Sequence, residues 1–477
     1  MTLAAAANLS DLSRHSYPSI VEAYAKWERG RYLPAHNLLE EVNVDDSDVE
    51  RVASFAPQEL DQLPSWLRGC CANILLVAPG AEEVELDGID IPVWRFQFGA
   101  TERTNREPGL WEVVERSLTS VSLVETASAS SSVPRILETI VTGTDPRSWV
   151  RNQLGLVAKA SDLLRRWVPP QVCPIGRAES DLNPVVRTQS GIDQQSSLAV
   201  LRLLARFGNH ALALALKVEQ WQLAVDTTAS FGCLRNPEIL KPPLDRSWCD
   251  PFPLLRDGVL HVFVEEYFYE SSKGHISMLS RSPSGVWSGP TKVLERPYHL
   301  SYPFVFEYED ELLLLPETAA AGRVELYRCV RFPDRWELDN VLIDNLAGAD
   351  STLWFQDDRW WLFLDVTNDL HLFYSDLLRG PWEPHPENPV KSDSRNSRPA
   401  GRIFRRGEDV IRPSQDCSLR YGREVVFNKI TRLTVRDFEE VEICRLRTPW
   451  NSNTCCHTYN HLDDFTVVDR LVQRLKR

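Results

Sequence analysis

The sequence has two methionines, no surplus of positive charge and no long apolar run. Lys and Arg number 53 against 67 Asp and Glu, a net charge of −14. Nucleic-acid and anionic-membrane partners rely on clustered cations, so this balance argues against both. No stretch reaches the length a spanning helix needs. Residues 1–15 lack a basic segment followed by a continuous apolar core, so no secretory signal is expected and the expected location is cytoplasmic. The ten cysteines include the adjacent pairs Cys70-Cys71 and Cys455-Cys456 but no CxxC spacing. That disfavours a zinc site and favours reduced, buried thiols. No metal and no cofactor are expected. What is present, 43% hydrophobic and 25% charged residues over 477 positions, suits two or three ordinary globular domains.

The strongest signal is internal repetition. Trp248-Cys-Asp-Pro-Phe-Pro-Leu-Leu255 leads through a turn at Asp257-Gly258 to Val259–Phe263. The same pattern returns from Tyr302 through Glu309-Asp310 to Leu315, and from Asp350 through Asp357-Asp358 to Leu364. It returns again from Arg398 through Arg406-Gly407 to Ile411, and more weakly from His457 through Asp463-Asp464 to Val468. The first four starts are 52, 48 and 48 residues apart. Trp287, Trp336 and Trp382 mark a second feature in the same phase. A period of about 40–50 residues with several short strands per unit is the mark of propeller blades. In the first unit the strands fall near 251–256, 259–264, 275–281 and 291–295. The expected fold is mainly β, a five-bladed β-propeller with a small N-terminal α/β domain.

Before the repeats the pattern is mixed. A helix is expected over 18–40, strands over 72–77, 91–98 and 121–125, a short helix over 110–115 and a longer one over 149–168. Strands alternating with helices define the small α/β domain, taken as 1–168. Residues 169–195 read as a linker and 197–218 as a helix, giving a linker-and-helix segment 169–218 before a propeller over 219–477. The last repeat is too short for four strands, and an open ring would leave an unpaired edge. Trp221–Val225 is therefore expected to complete the last blade from the N-terminal side.

Several motifs carry a family resemblance. Glu295-Arg-Pro-Tyr-His-Leu-Ser-Tyr-Pro-Phe-Val-Phe306, Pro316-Glu-Thr318, Glu325-Leu-Tyr-Arg328, Phe332-Pro-Asp-Arg-Trp336, Arg398-Pro-Ala-Gly-Arg402 and Arg412-Pro-Ser-Gln-Asp416 resemble the N-terminal domain of glucosamine inositolphosphorylceramide transferases. The resemblance covers roughly 219–470. In plant members this propeller precedes a separate glycosyltransferase domain; no such domain is expected after the propeller here, so that activity is not carried over. Ile91–Gly99 and Pro108–Glu112 resemble a formyltransferase core. The family's Asn, His and Asp do not appear there: Arg95, Phe96, Gln97 and Phe98 occupy the strand. The side chains that would move protons are absent, so this domain is expected to be degenerate and structural.

The propeller also resembles the five-bladed clan of glycoside hydrolases that includes arabinanases and invertases. That resemblance implies catalytic roles for Asp250, as base or nucleophile, and Asp350, as the residue that positions substrate. The clan's fourth-blade acid is replaced by Arg398 and Arg402. Glycoside cleavage needs a carboxylic acid opposite the second carboxylate. Glu317 is the candidate replacement, with Glu265 and Glu266 as alternatives. Expected substrate contacts are His299, Tyr302, Arg398, Arg402, Arg412, Asp416 and His457. The three arginines suit a phosphorylated or uronic sugar, because the guanidinium fork fits such anions, although paired charges between blades are an equally simple use for them. The implied partner is a carbohydrate or sugar phosphate, with a separate glycosyltransferase as a further candidate. Two functions follow. One is a carbohydrate-active enzyme or binder in surface glycan or glycolipid assembly, with a clan-type glycosidase as its hydrolytic form. The other is a non-catalytic glycan-binding scaffold.

Overall fold

The computed structural model describes residues 3–4, 74–77, 93–101, 108–126, 134–145, 148–167, 205, 216–450 and 454–475. The chain forms two units, Met1–His210 and Ala211–Arg477. The helix expected over 18–40 and the linker over 169–195 lie outside the described residues. So does most of the helix expected over 197–218, and its last two residues belong to a strand instead.

In the N-terminal unit, β1 (Leu3–Ala4), β2 (Ile74–Val77), β3 (Val93–Phe98), β4 (Thr119–Thr126) and β5 (Arg135–Thr142) form one sheet in that order. The first three strands pair in parallel and the last three antiparallel. Helix α1 (Leu110–Glu115) precedes β4, and α2 (Trp149–Trp167) follows β5. Leu156, Ala160 and Leu163 of α2 pack on Trp94, Phe96, Phe98, Val121 and Leu123. The expected short and long helices are both present. On β3, Arg95 and Gln97 are half-buried while Trp94, Phe96 and Phe98 are buried. A strand alternates its side chains between faces, so the apolar set faces the core.

The C-terminal unit is a β-propeller. Among the described residues it holds five four-stranded antiparallel sheets. Blade five is closed from the N-terminal side by β6 (Lys217–Asp226) and β7 (Glu238–Leu240). Blade one is β8 (Arg246–Arg256), β9 (Val259–Phe268), β10 (Lys273–Arg281) and β11 (Trp287–Leu294). Blade two is β12 (Ser301–Tyr308), β13 (Glu311–Glu317), β14 (Val324–Arg331) and β15 (Arg335–Ile343). Blade three is β16 (Ala349–Gln356), β17 (Arg359–Val366), β18 (Asp369–Ser375) and β19 (Glu383–Pro384). Blade four is β20 (Phe404–Arg406), β21 (Asp409–Asp416), β22 (Glu424–Leu433) and β23 (Phe438–Arg445). β24 (Tyr459–Leu462) and β25 (Phe465–Leu475) supply the first two strands of blade five. Ten consecutive residues of β6 pair with β25, from Lys217 opposite Leu475 to Asp226 opposite Thr466. The expected closure is therefore made by a longer strand than Trp221–Val225, and it removes the unpaired edge of β25.

The first hairpins explain the repeat. Asp257-Gly258, Glu309-Asp310 and Asp357-Asp358 all have positive φ, the conformation that two-residue hairpin loops use to match strand twist. Near the start of each inner strand lies a second shared feature. The ladder slips between Cys249 and Phe252, between Ser301 and Phe304, and between Ala349 and Thr352. At each slip one residue takes a left-handed φ: Asp250 at 51°, Tyr302 at 44° and Asp350 at 52°. That backbone costs an L-residue roughly 1–2 kcal/mol, so something must hold it, and the partners are carboxylates of neighbouring elements.

Candidate functional site

A ring of acids occupies one position of the repeat. Glu265, Glu317, Asp365, Asp416 and Asp469 are spaced by 52, 48, 51 and 53 residues, each near the end of its blade's second strand or within it. Glu265, Glu317 and Asp365 pair directly with Cys249, Ser301 and Ala349, the residues just before the left-handed ones. The strained N–H groups donate to such acids. Asp250 N donates to Asp469 Oδ2 at 3.2 Å, and Asp350 N to Glu317 Oε2 at 3.2 Å. Tyr302 N donates to Asp250 Oδ2 at 3.3 Å. Blades one, two and three are thus each tied to the blade before.

The expected catalytic carboxylates are buried in these seams. Asp250 Oδ1 accepts from Thr458 Oγ1 at 2.7 Å and lies 3.6 Å from His457 Nε2. Asp350 Oδ2 accepts from Arg398 Nε at 2.6 Å and from Gln415 Nε2 at 2.8 Å. Arg398 also reaches Asp365 Oδ2 at 3.5 Å and Glu317 Oε2 at 3.9 Å, and its guanidinium lies 5.2 Å from the Tyr421 ring centre. One arginine therefore serves three carboxylates.

Burial without enough cations keeps protons on this cluster. Burial, with Asp250 adding repulsion, pushes the Glu265 carboxyl up to about 8. Burial and the neighbouring Asp350 charge push Glu317 up to about 8, against the pull of Arg398. Burial raises Asp250 to about 6 although His457 opposes it. Asp365 is likewise raised to about 6 by burial, against Arg398. His457 shows the complementary effect. Burial alone would lower it, yet Asp469 and Asp250 together raise it to about 9. Its Nδ1 abuts Asp469 Oδ2, and its ring stacks on Trp221 with centres 4.1 Å apart.

A cavity of about 260 Å³ opens at the seam of blades five and one. Glu219 and Trp221 come from the closing strand, Ser247 and Cys249 from β8, and Glu265 and Tyr267 from β9. Tyr269, Tyr421 and His457 complete the wall. Cys249 Sγ lies 3.0 Å from Glu265 Oε2. His299, whose Nδ1 accepts from Gly274 N at 2.9 Å, stands 3.4 Å from Glu265 Oε1 through Nε2. Burial lowers its pKa.

Of the expected residues, Asp250, Asp350, Glu317, Arg398 and His457 lie in one connected charge network, and His299 joins it through Glu265. Only His457 of these lines the cavity. Tyr302 is fully buried, its hydroxyl bound to Thr352 and to the Gly401 N–H. Three expectations are corrected. Arg412 does not face a ligand: it pairs with buried Glu440 and donates to the Asn396 and Ser397 carbonyls. Asp416 turns to Ser418 and Arg445 within blade four. Arg402 lies between blades, donating to the Pro253 and Val305 carbonyls and covering Phe252 and Phe304. The three arginines thus serve three separate sites and form no shared anion grip. Glu266 is no acid candidate either, because its hydrogen bonds to His275, Ser277, Arg246 and Trp248 outweigh burial and hold it at about 2. The cavity residues Glu219, Tyr267, Tyr269 and Tyr421 had no sequence signal beyond being aromatic or acidic, and Trp221 was marked only as part of the closing strand. Asp365 and Asp469 did have one, the repeat phase of Glu265.

Fold and site together define a β-propeller whose blades are stitched by buried acids, with an aromatic, acidic cavity at the seam of blades five and one. Residues 244–464, most of the propeller, match the sequence profile of the family "Glucosamine inositolphosphorylceramide transferase 1, N-terminal". The chain is 35% identical over 232 residues to glucosamine inositolphosphorylceramide transferase 1 of Oryza sativa subsp. japonica, covering 45% of this chain and 30% of that protein. With the Arabidopsis thaliana protein of the same name it shares 31% over 205 residues, 41% of this chain and 27% of that one. The chain thus spans about a third of the length of these relatives. Among solved structures, Zg3597, a family 117 glycoside hydrolase from Zobellia galactanivorans, aligns with a TM-score of 0.36 and 14% identity, over 48% of this chain and 85% of that one. An exo-β-1,3-galactanase from Phanerochaete chrysosporium aligns with a TM-score of 0.36 and 12% identity, over 44% and 53%. Both are distant likenesses, and no residue role is taken from them.

Proposed function

We propose that the propeller binds a carbohydrate at the cavity between blades five and one, as a glycan-handling module in surface glycan or glycolipid assembly. The observation that carries this is the cavity lining: four aromatic side chains, Trp221, Tyr267, Tyr269 and Tyr421, beside the carboxylates of Glu219 and Glu265. Aromatic faces suit the apolar faces of a sugar ring, and a few polar groups fix its hydroxyls. A volume of about 260 Å³ suits one or two sugar rings. The relatives' name, a glucosamine inositolphosphorylceramide transferase, supports glycolipid assembly as the setting, with a separate glycosyltransferase as partner.

One observation favours a second, hydrolytic reading. Glu265 keeps its proton to about pH 8, and one of its oxygens lies within 4.8 Å of Asp250's, so an acid and a carboxylate stand close together. Binding is preferred because Asp250 is committed to Tyr302 N, Thr458 and His457 and does not line the cavity. The test is thermal shift of the full chain against oligosaccharides, nucleotide sugars and sugar phosphates. A ligand bound only by the folded state adds about 2.7 kcal/mol at a hundred times its Kd. A saturable shift that Tyr421→Ala abolishes is expected. If nothing in the panel shifts the protein, the reading fails; if turnover accompanies binding, the hydrolytic form replaces it.

A further inference from the structure

His299 does not line the cavity, yet it backs the wall that does. Its Nε2 stands 3.4 Å from Glu265 Oε1, and its ring meets the Tyr267 ring edge-on at 6.0 Å. Glu265 and Tyr267 lie two residues apart on β9, so they share one side of the strand. The loop that carries His299, residues 295–300, is pinned to both blades it joins. On blade one, Gly274 N donates to His299 Nδ1 at 2.9 Å, and Leu300 N donates to Gly274 O at 3.1 Å. On blade two, the Tyr298 hydroxyl donates at 2.6 Å to Oε2 of buried Glu325, which the Tyr327 hydroxyl also meets. Gly274 permits the close fit. A Cβ there would stand 2.5 Å from Glu265 Oε1 and 2.7 Å from Leu300 O.

The neighbours also place the ring's proton. Burial lowers the His299 pKa, which favours the neutral ring. Nδ1 accepts the Gly274 N–H, so a neutral ring carries its proton on Nε2, the nitrogen that faces Glu265. Cys249 Sγ approaches the other oxygen, Oε2, at 3.0 Å, and burial keeps that thiol protonated. One donor thus meets each oxygen of the carboxyl.

We infer that His299 is a positioning residue of this cavity: with Cys249 it fixes the plane of the Glu265 carboxyl and so presents that group to a bound sugar. This rests on the sugar-binding reading above and gives a role to a residue outside the cavity. A carboxyl held in this way donates a hydrogen bond when protonated and only accepts when ionised. Burial, Asp250 on β8 and Glu317 on β13 favour the protonated form. Cys249 and His457 favour the ionised form, and the Nε2–H of His299 adds to them.

The experiment compares the full chain with His299→Phe and His299→Gln. Glutamine reaches Oε1 with an amide N–H, and phenylalanine does not. The Glu265 carboxyl is followed by infrared titration from pH 5 to pH 10, its C=O band assigned by its loss in Glu265→Gln. In the unaltered protein the band should fade near pH 8. In His299→Phe it should persist to roughly one pH unit higher, and His299→Gln should bring it back. A role in packing alone would lower the melting temperature without moving the band. Affinity for glucose, galactose, mannose and xylose is measured on the same proteins. The tightest binder should weaken roughly tenfold in His299→Phe and recover in His299→Gln. If His299→Phe does not fold, Tyr298→Phe, which frees the loop from Glu325, takes its place with the same outcomes expected. An unmoved band, or an affinity that His299→Phe leaves intact, overturns the positioning role and leaves sugar binding standing. If the band moves but none of these sugars binds, the pairing of His299 with Glu265 stands, and its use in sugar binding falls with the reading it rests on.

Discussion

Asp469→Asn tests whether the buried acids hold the ring together. Asp469 is completely buried. Its Oδ1 accepts from His457 N at 2.8 Å and Thr458 N at 3.1 Å, its Oδ2 accepts from Asp250 N at 3.2 Å, and it abuts His457 Nδ1. Asparagine keeps one acceptor oxygen but turns an NH₂ toward the Asp250 N–H and the imidazole. Each buried donor left facing a donor costs about 1–3 kcal/mol, and breaking a buried ion pair from one side costs about 3–5 kcal/mol. These overlap, so the expected loss is about 3–5 kcal/mol. At about 2–4 °C per kcal/mol for a unit of this size, the melting temperature should fall by roughly 6–20 °C. The effect should also depend on pH. His457 has a folded pKa of about 9 against an ordinary 6.5. A raised folded pKa gives stability that is complete below the unfolded value and is lost as pH climbs to the folded one. Without Asp469 that contribution shrinks, so the gap between wild type and variant should narrow from pH 6 to pH 9.5. Calorimetry gives the transition, and Trp221, stacked on His457, reports it locally by fluorescence. A variant melting within about 2 °C of wild type, or a gap unchanged across that range, would refute the latch.

Arg412→Ala should destabilise the propeller by about 3–5 kcal/mol, because it leaves Glu440 buried with Lys391 as its remaining cationic partner. It should leave sugar affinity unchanged, which titration of the still-folded variant checks. The N-terminal unit should bind no formyl-folate donor, since β3 carries Arg95 and Gln97 and no His that could move a proton; a titration giving micromolar affinity would contradict this.

The blade repeat was legible because its turns and apolar strands must recur for each sheet to pack on the next. The closing strand was legible from a count of strands and the cost of an open edge. Asp250, Tyr302 and Asp350 stood out as repeat starts, yet their part in tying the blades together did not. Sequence phase shows that they share a position but not that a bulge turns their N–H groups onto the preceding acid. The arginines show the same limit. Arg402 and Arg412 lie ten residues apart on either side of a hairpin, and hairpin pairing with a twisted blade sends one into the space between blades and the other to Glu440 on β23. Tyr421 was hidden for another reason: it comes from the loop between β21 and β22, and the loop at that place differs in length and sequence from blade to blade.

The site arises where the repeat is broken. In blades two and three the left-handed N–H groups of Tyr302 and Asp350 are satisfied across the seam by Asp250 and Glu317. Blade four replaces its inner acid with Arg398, whose single charge is shared by Asp350, Asp365 and Glu317. Blade five has His457 at that place, and its second strand pairs with a segment that lies more than two hundred residues earlier in the chain. That pairing brings Trp221 onto the His457 ring and Glu219 to the cavity rim. Circular closure and the binding cavity are thus one piece of structure, built by β6. A change that loosens β6 from β25 should therefore disturb the cavity before it unfolds the blades, and Trp221 fluorescence should move ahead of the global transition. If Trp221 instead changes only with the whole propeller, the seam is as firm as the others, and closure contributes stability without shaping the site.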